Sequence, residues 1–152
     1  MSTPEQRLAD LGLTLPAVAA PLAAYVPAVR EGDLIFTSGQ LPTVDGRLLA
    51  TGLVGEDVTP EEAAQLAGRC ALNALAAIAS LLQGLTEVRR VVKVVGFVAS
   101  APGFTGQPAV VNGASELLGA VFGDAGRHAR SAVGVASLPL GAPVEVELIV
   151  AV

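Results

Sequence analysis

Two stretches of the chain repeat apolar residues at the three- and four-residue spacing of an amphipathic helix. The first is TPEEAAQLAGRCALNALAAIASLLQG. Thr59 is its predicted N-cap, with Pro60 at the first helical position and Glu62 as the capping-box partner. Gly84 is expected to end it. Its apolar stripe, which assigns Cys70 to the core, is Ala63, Leu66, Cys70, Ala74, Ile78 and Leu81, and its polar stripe is Gln65, Arg69, Asn73 and Ser80.

The second helix is predicted in QPAVVNGASELLGAVFG. Asn112, Ser115 and Glu116 point away from its apolar stripe. That stripe consists of Val110, Val111, Ala114, Leu117, Leu118 and Val121. The pattern therefore predicts two helices that each bury one side.

Other apolar runs alternate with the period of two that is typical of strands. YVPAVREGDLIFTSGQLP predicts a hairpin with strands at 25–30 and 34–38 and a turn at 31–33. A looser excursion follows around Asp45-Gly46. EVRRVVKVVGFVAS predicts a long strand with two largely apolar faces. One face carries Val91, Lys93, Val95 and Phe97, and the other carries Val92, Val94, Gly96 and Val98.

The last two strands are predicted in RHARSAVGVASLP and VEVELIVAV. Alternation assigns Ser131, Val133, Val135, Val144, Val146, Leu148 and Val150 to the side that meets the helices. The opposite side then carries Arg130, Ala132, Gly134, Glu145, Glu147 and Ile149. With SLPLGAP as a hairpin loop, Gly134 faces Glu145, Ala132 faces Glu147, and Arg130 faces Ile149 and lies diagonal to Glu147. A structural Arg–Glu pair is one explanation, and a polar pocket within an oligomer interface is the other.

The order of these elements predicts an α+β fold in which two helices cover one face of a mixed sheet. Residues 1–24 are expected to form a short helix and an irregular N-terminal arm, and residues 25–152 a single domain. Apolar residues make up 52% of the chain, aromatic residues 3% and charged residues 15%. Because so little charge is available for the surface, part of the apolar excess is expected to lie between subunits.

Charge and composition also narrow the function. A net charge of −5 without a basic stripe argues against nucleic-acid binding. One cysteine, Cys70, and one histidine, His128, give neither a disulfide nor the ligand set that zinc sites use. No metal or cofactor is expected. The N-terminus lacks the pattern of a signal peptide and no helical run is long enough for a bilayer, so a cytoplasmic protein is expected.

Several stretches together resemble the RidA/YjgF family, also called the L-PSP endoribonuclease-like family. They are YVPAVREGDLIFTSGQLP, VVKVVGFVAS, VNGASELLGAVF and ARSAVGVASLPLGAPVEVE. The resemblance covers the chain from Tyr25 to its end. It implies a chorismate-mutase-like fold, a homotrimer around a central β-barrel, and three clefts between subunits. It also implies hydrolysis of reactive 2-imino acids to 2-keto acids and ammonia.

The resemblance further implies roles for individual residues. Arg130 occupies the position of the family arginine that clamps the substrate carboxylate, and Glu145 that of the glutamate that places the attacking water. The remaining substrate-binding positions correspond to Tyr25, Ser38, Gly39, Asn112 and Ala132. Such chemistry needs little machinery, because a protonated imine is already electrophilic.

The chain departs from the common pattern near this arginine. His128 stands where proline is common, Ala132 where cysteine is common, and Gly134 where glutamate is frequent. The loop at 99–108, which contains SAPGFTGQP, and the N-terminal arm are longer than in compact members, which indicates a longer subgroup. Two alternative functions therefore stand beside the hydrolase: a trimer that binds or senses small carboxylates without turnover, and the ribonuclease of the family's older name.

Overall fold

The helices of the computed structural model, which describes residues 1–152, follow the apolar stripes closely. They are α1 Pro4–Asp10, α2 Pro60–Ala79 and α3 Gln107–Phe122. Thr59 caps α2 by accepting the N–H of Glu62 at 3.1 Å, without the return bond of a full capping box. The predicted end at Gly84 is wrong: the helix stops at Ala79, and the hydroxyl of Ser80 donates back to a helix carbonyl at 2.6 Å.

Seven strands complete the fold. They are β1 Ala28–Glu31, β2 Leu34–Thr37, β3 Thr43–Val44, β4 Arg47–Leu48, β5 Arg90–Ala99, β6 Ala129–Val135 and β7 Val144–Ala151. Five of them form one mixed sheet in the order β1-β2-β7-β5-β6, in which only β5 and β6 run parallel. The α+β architecture with the helices on one face is thus confirmed.

The predicted hairpin between the last two strands is wrong. Strand β5 lies between β6 and β7, so Val94 pairs with Arg130 on one side and with Leu148 on the other. The physical reason is the connection through α3. A strand, a helix and a second strand form a crossover that returns the second strand parallel to and beside the first. The proposed contact between Arg130 and Glu147 therefore does not exist within the chain.

The face assigned to β6 is also wrong. Arg130 points to the helix side, where its guanidinium group contacts α3. Ser131 lies on the other side, where its hydroxyl accepts from Lys93 at 3.3 Å, and Val133 is exposed. The assignment for β7 is confirmed, because Val144, Val146, Leu148 and Val150 are buried in the core. Alternation failed for β6 because both of its sides carry small residues at the sheet edge.

We call the side of the sheet away from the helices the open face. It carries Val29, Leu34, Phe36, Lys93, Val95, Phe97, Ser131, Val133, Glu145, Glu147 and Ile149. The alternation of β5 breaks at its start, where a bulge between Val91 and Lys93 turns Val91 into the core. Cys70 is fully buried, which confirms its place in the core, and burial raises the pKa of its thiol.

The N-terminal residues pack on the domain before they become irregular. Helix α1 buries Leu8 in the core, and the carboxylate of Glu5 accepts the N–H of Leu85 at 2.6 Å. The division at residue 25 stays a prediction. Tyr25 precedes β1 rather than lying in it, because the strand begins only at Ala28. No helix is both long and apolar enough to cross a membrane.

Candidate functional site

A cationic side chain lies against helix α3 at the edge of the sheet. Arg130 Nη1 donates to Asn112 Oδ1 at 2.8 Å and to Ser115 Oγ at 3.1 Å. Its Nη2 donates to the carbonyl oxygen of Pro108 at 3.2 Å. We call these four residues the Arg130 cluster. Two predicted site residues, Arg130 and Asn112, are therefore in direct contact. Asn112 lies on the side of α3 away from its apolar stripe.

The guanidinium group of Arg130 has no carboxylate partner. The ion pairs of the chain join Arg89 to Asp33 and Arg127 to Asp124, and both pairs are exposed. Arg130 is partly buried and is held only by neutral oxygen atoms. A guanidinium group donates two parallel hydrogen bonds to a carboxylate, and such bonds are among the stronger ones in proteins. The cluster can therefore receive a small carboxylate.

The small residues that follow Arg130 along β6 leave room for the loop that precedes α3. Ala132 is partly buried against the core. A Cβ on Gly134 would lie 2.8 Å from Gln107 Nε2 and 3.0 Å from Ser100 Oγ. Gln107 Nε2 is itself fixed, since it donates to Ser100 Oγ at 3.1 Å and to the Phe104 carbonyl at 2.8 Å. The longer loop thus fills the space that a side chain at position 134 would need.

A second group of predicted site residues meets where the chain leaves β2. Gly39 lies so close to Glu145 that a Cβ there would stand 2.7 Å from Glu145 Cδ. The hydroxyl of Ser38 donates to the carbonyl of Val26 at 2.6 Å and so fixes the segment next to Tyr25. The Gly39 N–H donates to no protein acceptor. We call Tyr25, Ser38, Gly39 and Glu145 the Glu145 cluster.

The carboxyl group of Glu145 is electrostatically perturbed. Burial raises its pKa above the ordinary value of 4.5, and the neighbouring charge of Glu147 raises it further. A carboxylate with a raised pKa is a better proton acceptor near neutral pH than an ordinary one. Glu145 therefore has the chemistry expected of a group that activates or orients water.

A cavity of about 230 Å³ opens beside the Glu145 cluster. Tyr25 and Gly39 form part of its wall. The other walls come from residues 19–22, from Pro27, from residues 40, 41, 43 and 46, and from Leu140. The cavity thus links the irregular N-terminal segment to two predicted site residues.

The two clusters do not meet within one chain. Arg130 lies on the helix side of the edge strand β6, whereas Glu145 lies on the open face of β7, two strands away. Their pairing partners on β5, Val94 and Phe97, are three residues apart. Strand spacing then separates the two Cα atoms by about 14 Å. Within one chain the two clusters are therefore separate.

Sequence reasoning missed several residues that shape these clusters. Ser115 was placed off the apolar stripe of α3 without a partner. Asn73 was placed on a polar stripe, yet it is buried and its Nδ2 donates to the carbonyls of Leu41 and Thr43 at 3.0 and 3.1 Å. It holds the segment that lines the cavity. A polar residue within the otherwise apolar run CALNALAAIA was the available signal.

Comparison with known proteins places this geometry in a family. The model of the family described as "YjgF/chorismate_mutase-like, putative endoribonuclease" matches residues 5–151. Protein TCP17 of Trypanosoma cruzi is 48% identical over 144 residues, which are 94% of this chain and 90% of that protein. The crystal structure of Atu1372 from Agrobacterium tumefaciens, a protein of unknown function, is 48% identical with a TM-score of 0.91, covering 99% of this chain and 92% of that one.

A crystal structure from Shewanella oneidensis, of a protein named as an endoribonuclease on a provisional basis, is 34% identical with a TM-score of 0.96, covering 99% of this chain and 100% of that one. Escherichia coli TdcF, crystallised with bound serine, is 26% identical with a TM-score of 0.60, covering 91% and 95% of the two chains. The fold is therefore that of the chorismate-mutase-like proteins. The chain belongs to the YjgF family, which confirms the resemblance read from the sequence.

Proposed function

We propose that this protein hydrolyses 2-imino acids to 2-keto acids and ammonia. The carboxylate of the substrate binds the guanidinium group of Arg130, and Glu145 positions the water that attacks the imine carbon. The observation that carries this proposal is the Arg130 cluster, a partly buried cation that is oriented by three neutral oxygen atoms and has no anionic partner. TdcF binds serine, which has a carboxylate next to a nitrogen-bearing carbon, and so supports this substrate class.

The reaction can proceed with the groups that the clusters provide. Glu145 takes a proton from water, the oxygen bonds to the imine carbon, and the electron pair of the C=N bond moves to nitrogen. Glu145 returns its proton to the nitrogen of the resulting carbinolamine, the C–N bond breaks and ammonia leaves. The carbonyl forms as the hydroxyl proton passes to the Glu145 carboxylate and from there to solvent. The free N–H of Gly39 can donate to the substrate or to the attacking oxygen.

The active form in this proposal is a homotrimer in which the open faces enclose a central barrel. Its support is the apolar surface of the open face, where Val29, Phe36 and Val133 are 51%, 42% and 44% exposed. A surface of this kind is typical of an interaction site. Since Arg130 and Glu145 lie about 14 Å apart in one chain, the proposal completes each site from two subunits, with the Arg130 cluster of one facing the Glu145 cluster of the next.

The test is imine hydrolysis by Arg130→Ala, with imines generated from amino acids by an amino-acid oxidase. Losing two charge-assisted hydrogen bonds of about 1.5–3 kcal/mol each lowers kcat/KM by at least about 100-fold. Arg127→Ala is the matched control, because Arg127 is exposed and pairs only with Asp124 at 3.8 Å. Wild-type protein that releases ammonia no faster than buffer would refute the hydrolase.

The oligomer is tested by Phe36→Asp, which places a charge on the open face. We expect the sedimentation coefficient to fall to that of a monomer and hydrolysis to be lost with it. Leu11→Asp is the control, since Leu11 is exposed at the end of α1 and lies outside the sheet. An unchanged trimer in Phe36→Asp, or an active monomer, would contradict the subunit arrangement.

A second candidate is carboxylate binding without turnover. It is favoured by the separation of the clusters, because the Arg130 cluster can bind a carboxylate without any help from Glu145. It predicts that 2-keto acids raise the melting temperature of wild type but not of Arg130→Ala, while no imine is hydrolysed. A net charge of −5 provides no electrostatic attraction for RNA, so the ribonuclease activity in the family description receives no support from this chain.

A further inference from the structure

The cavity beside the Glu145 cluster has a predominantly apolar wall. Residues 19–22 have the sequence AAPL and form one side of it, while Pro27, Leu41 and Leu140 contribute to the rest. None of the residues that line the cavity carries a charge. Leu140 is held there in a left-handed conformation, with φ of 60°, that leucine seldom adopts. The loop therefore maintains this leucine beside the cavity against a backbone preference.

Each polar side chain in the wall makes a hydrogen bond within the protein, whereas the N–H of Gly39 is free. The hydroxyl of Tyr25 accepts the N–H of Leu22 at 3.2 Å, and Gln40 Nε2 donates to the Ser38 carbonyl at 3.4 Å. Thr43 Oγ1 accepts from Asn73 Nδ2 at 3.3 Å. A charged ligand group would lose its hydration in the cavity without gaining a partner of opposite charge. The wall consequently favours an apolar group.

We infer that this cavity receives the side chain of the substrate and that residues 19–22 make the protein selective for 2-imino acids with apolar side chains. The inference rests on the proposed function, because it takes the reacting carbon to lie between Glu145 and the Arg130 cluster of a neighbouring subunit. Gly39, which contacts Glu145 and also lines the cavity, connects the reacting centre to the side-chain space.

The volume of the cavity sets the size of that side chain. An apolar cavity of about 150 Å³ is large enough to hold benzene, and this one measures about 230 Å³. Side chains as large as those of leucine or phenylalanine therefore fit. Each additional buried methylene group is expected to raise kcat/KM by about tenfold or more. The imine of alanine leaves most of the cavity empty, and the imine of glutamate brings an unpaired charge into it.

The experiment compares Ala19→Leu, which narrows the cavity, with Ala17→Leu, which adds the same volume to an exposed residue outside it. In wild type we expect kcat/KM for the leucine-derived imine to exceed those for the alanine- and glutamate-derived imines by at least about tenfold. Ala19→Leu should lower the leucine value about tenfold more than it lowers the alanine value. Ala17→Leu should change neither. A preference for the glutamate-derived imine, or an unchanged selectivity in Ala19→Leu, would overturn the inference.

Failure of the inference can be told apart from failure of the proposed function. If no imine is hydrolysed, the hydrolase is refuted, and calorimetric titration with the keto acids of leucine, alanine and glutamate then tests the cavity. Tighter binding of the leucine keto acid, weakened about tenfold in Ala19→Leu but not in Ala17→Leu, supports the cavity as the side-chain site. Equal affinities, or no binding of any of the three, overturn it.

Discussion

The contact between Gly39 and Glu145 makes Gly39→Ala a sensitive test of the site. A Cβ on Gly39 would lie 2.7 Å from Glu145 Cδ, 2.8 Å from its Oε2 and 3.0 Å from its Cγ. Carbon atoms pack comfortably at about 3.5–4.0 Å, so the carboxyl group must retreat by about 1 Å. The backbone is not strained by the change, because Gly39 is outside the left-handed region.

The effect on activity is expected to be much larger than the effect on stability. A displacement of about 1 Å at a reacting group can lower the rate about 100-fold. The free energy of unfolding should fall by only about 1 kcal/mol, because the end of a glutamate side chain moves easily and the new alanine restricts the unfolded chain. For a domain of this size, that loss lowers the melting temperature by about 2–4 °C.

The assay is kcat/KM for imine hydrolysis, measured together with thermal unfolding. Gly119→Ala is the matched control, because Gly119 lies in a helix with no atom within 4 Å of the added Cβ. Alanine there should leave activity unchanged and raise stability by up to about 1 kcal/mol. In a Glu145→Ala background, Gly39→Ala should no longer lower stability. Full activity in Gly39→Ala would refute the assignment of Glu145 to the reacting centre.

Three further changes test the packing and the electrostatics around the site. Gly113→Ala should lower the free energy of unfolding by about 3 kcal/mol in urea titration, because the new Cβ would stand 1.7 Å from the backbone oxygen of Ala64 and helices α2 and α3 would have to separate. Asn73→Leu should lower the free energy of unfolding by about 1–2 kcal/mol in the same assay, because the carbonyl groups of Leu41 and Thr43 lose the Asn73 amide and keep only the Thr43 N–H and Arg69 Nε as donors. Glu145→Gln should stabilise the protein near neutral pH: the folded state raises the pKa of this carboxyl above 4.5, so wild type loses stability as the pH rises through the folded pKa.

Each of these changes has a control or a contradictory result. The control for Gly113→Ala is again Gly119→Ala, which lies on the same helix. Equal stability of the two variants would contradict the close packing of α2 and α3. The control for Asn73→Leu is Gln65→Leu. Gln65 is an exposed residue of the same predicted polar stripe, so its replacement should leave the free energy of unfolding unchanged. For Glu145, Glu147→Gln should weaken the pH dependence without abolishing it, because burial is the larger cause of the raised pKa. An identical pH dependence in wild type and Glu145→Gln would contradict the buried carboxyl group.

Local signals in the sequence were sufficient for most of the secondary structure. The cap at Thr59 and the spacing of the apolar stripes predicted α2 and α3, since caps and helical periodicity act within a few residues. The looser excursion predicted around Asp45-Gly46 is instead a tight two-residue turn between β3 and β4, and both residues adopt the positive φ that such turns require. Asn73 lies on the predicted polar stripe of α2 and is nevertheless buried, because a periodic pattern does not show that an irregular segment covers the polar side of a helix.

The sequence named candidate site residues but did not show how they are arranged. Arg130, Asn112, Glu145 and Gly39 were all named from the family motifs, and the structure gives each of them a defined contact with another site residue. Their grouping into two clusters was not foreseen. The prediction paired β6 with β7 because they are neighbours in sequence, and it therefore placed Arg130 near Glu147. Strand pairing across a crossover helix depends on contacts between distant parts of the chain, and no local pattern contains them.

The sequence alone determined most of the elements, the doubly apolar strand β5 and the family, and it named Arg130 and Glu145 as candidate site residues. Those properties follow from local spacing and from motifs that lie within single stretches. Tertiary structure decided the strand order, the side of β6 from which Arg130 projects, and the cavity that residues 19–22 form beside Gly39. Alternation fixes which residues of a strand share a side, but on an edge strand of small residues the burial energies of the two sides differ little. The packing of α3 and its bonds to Arg130 settle which side faces the helices.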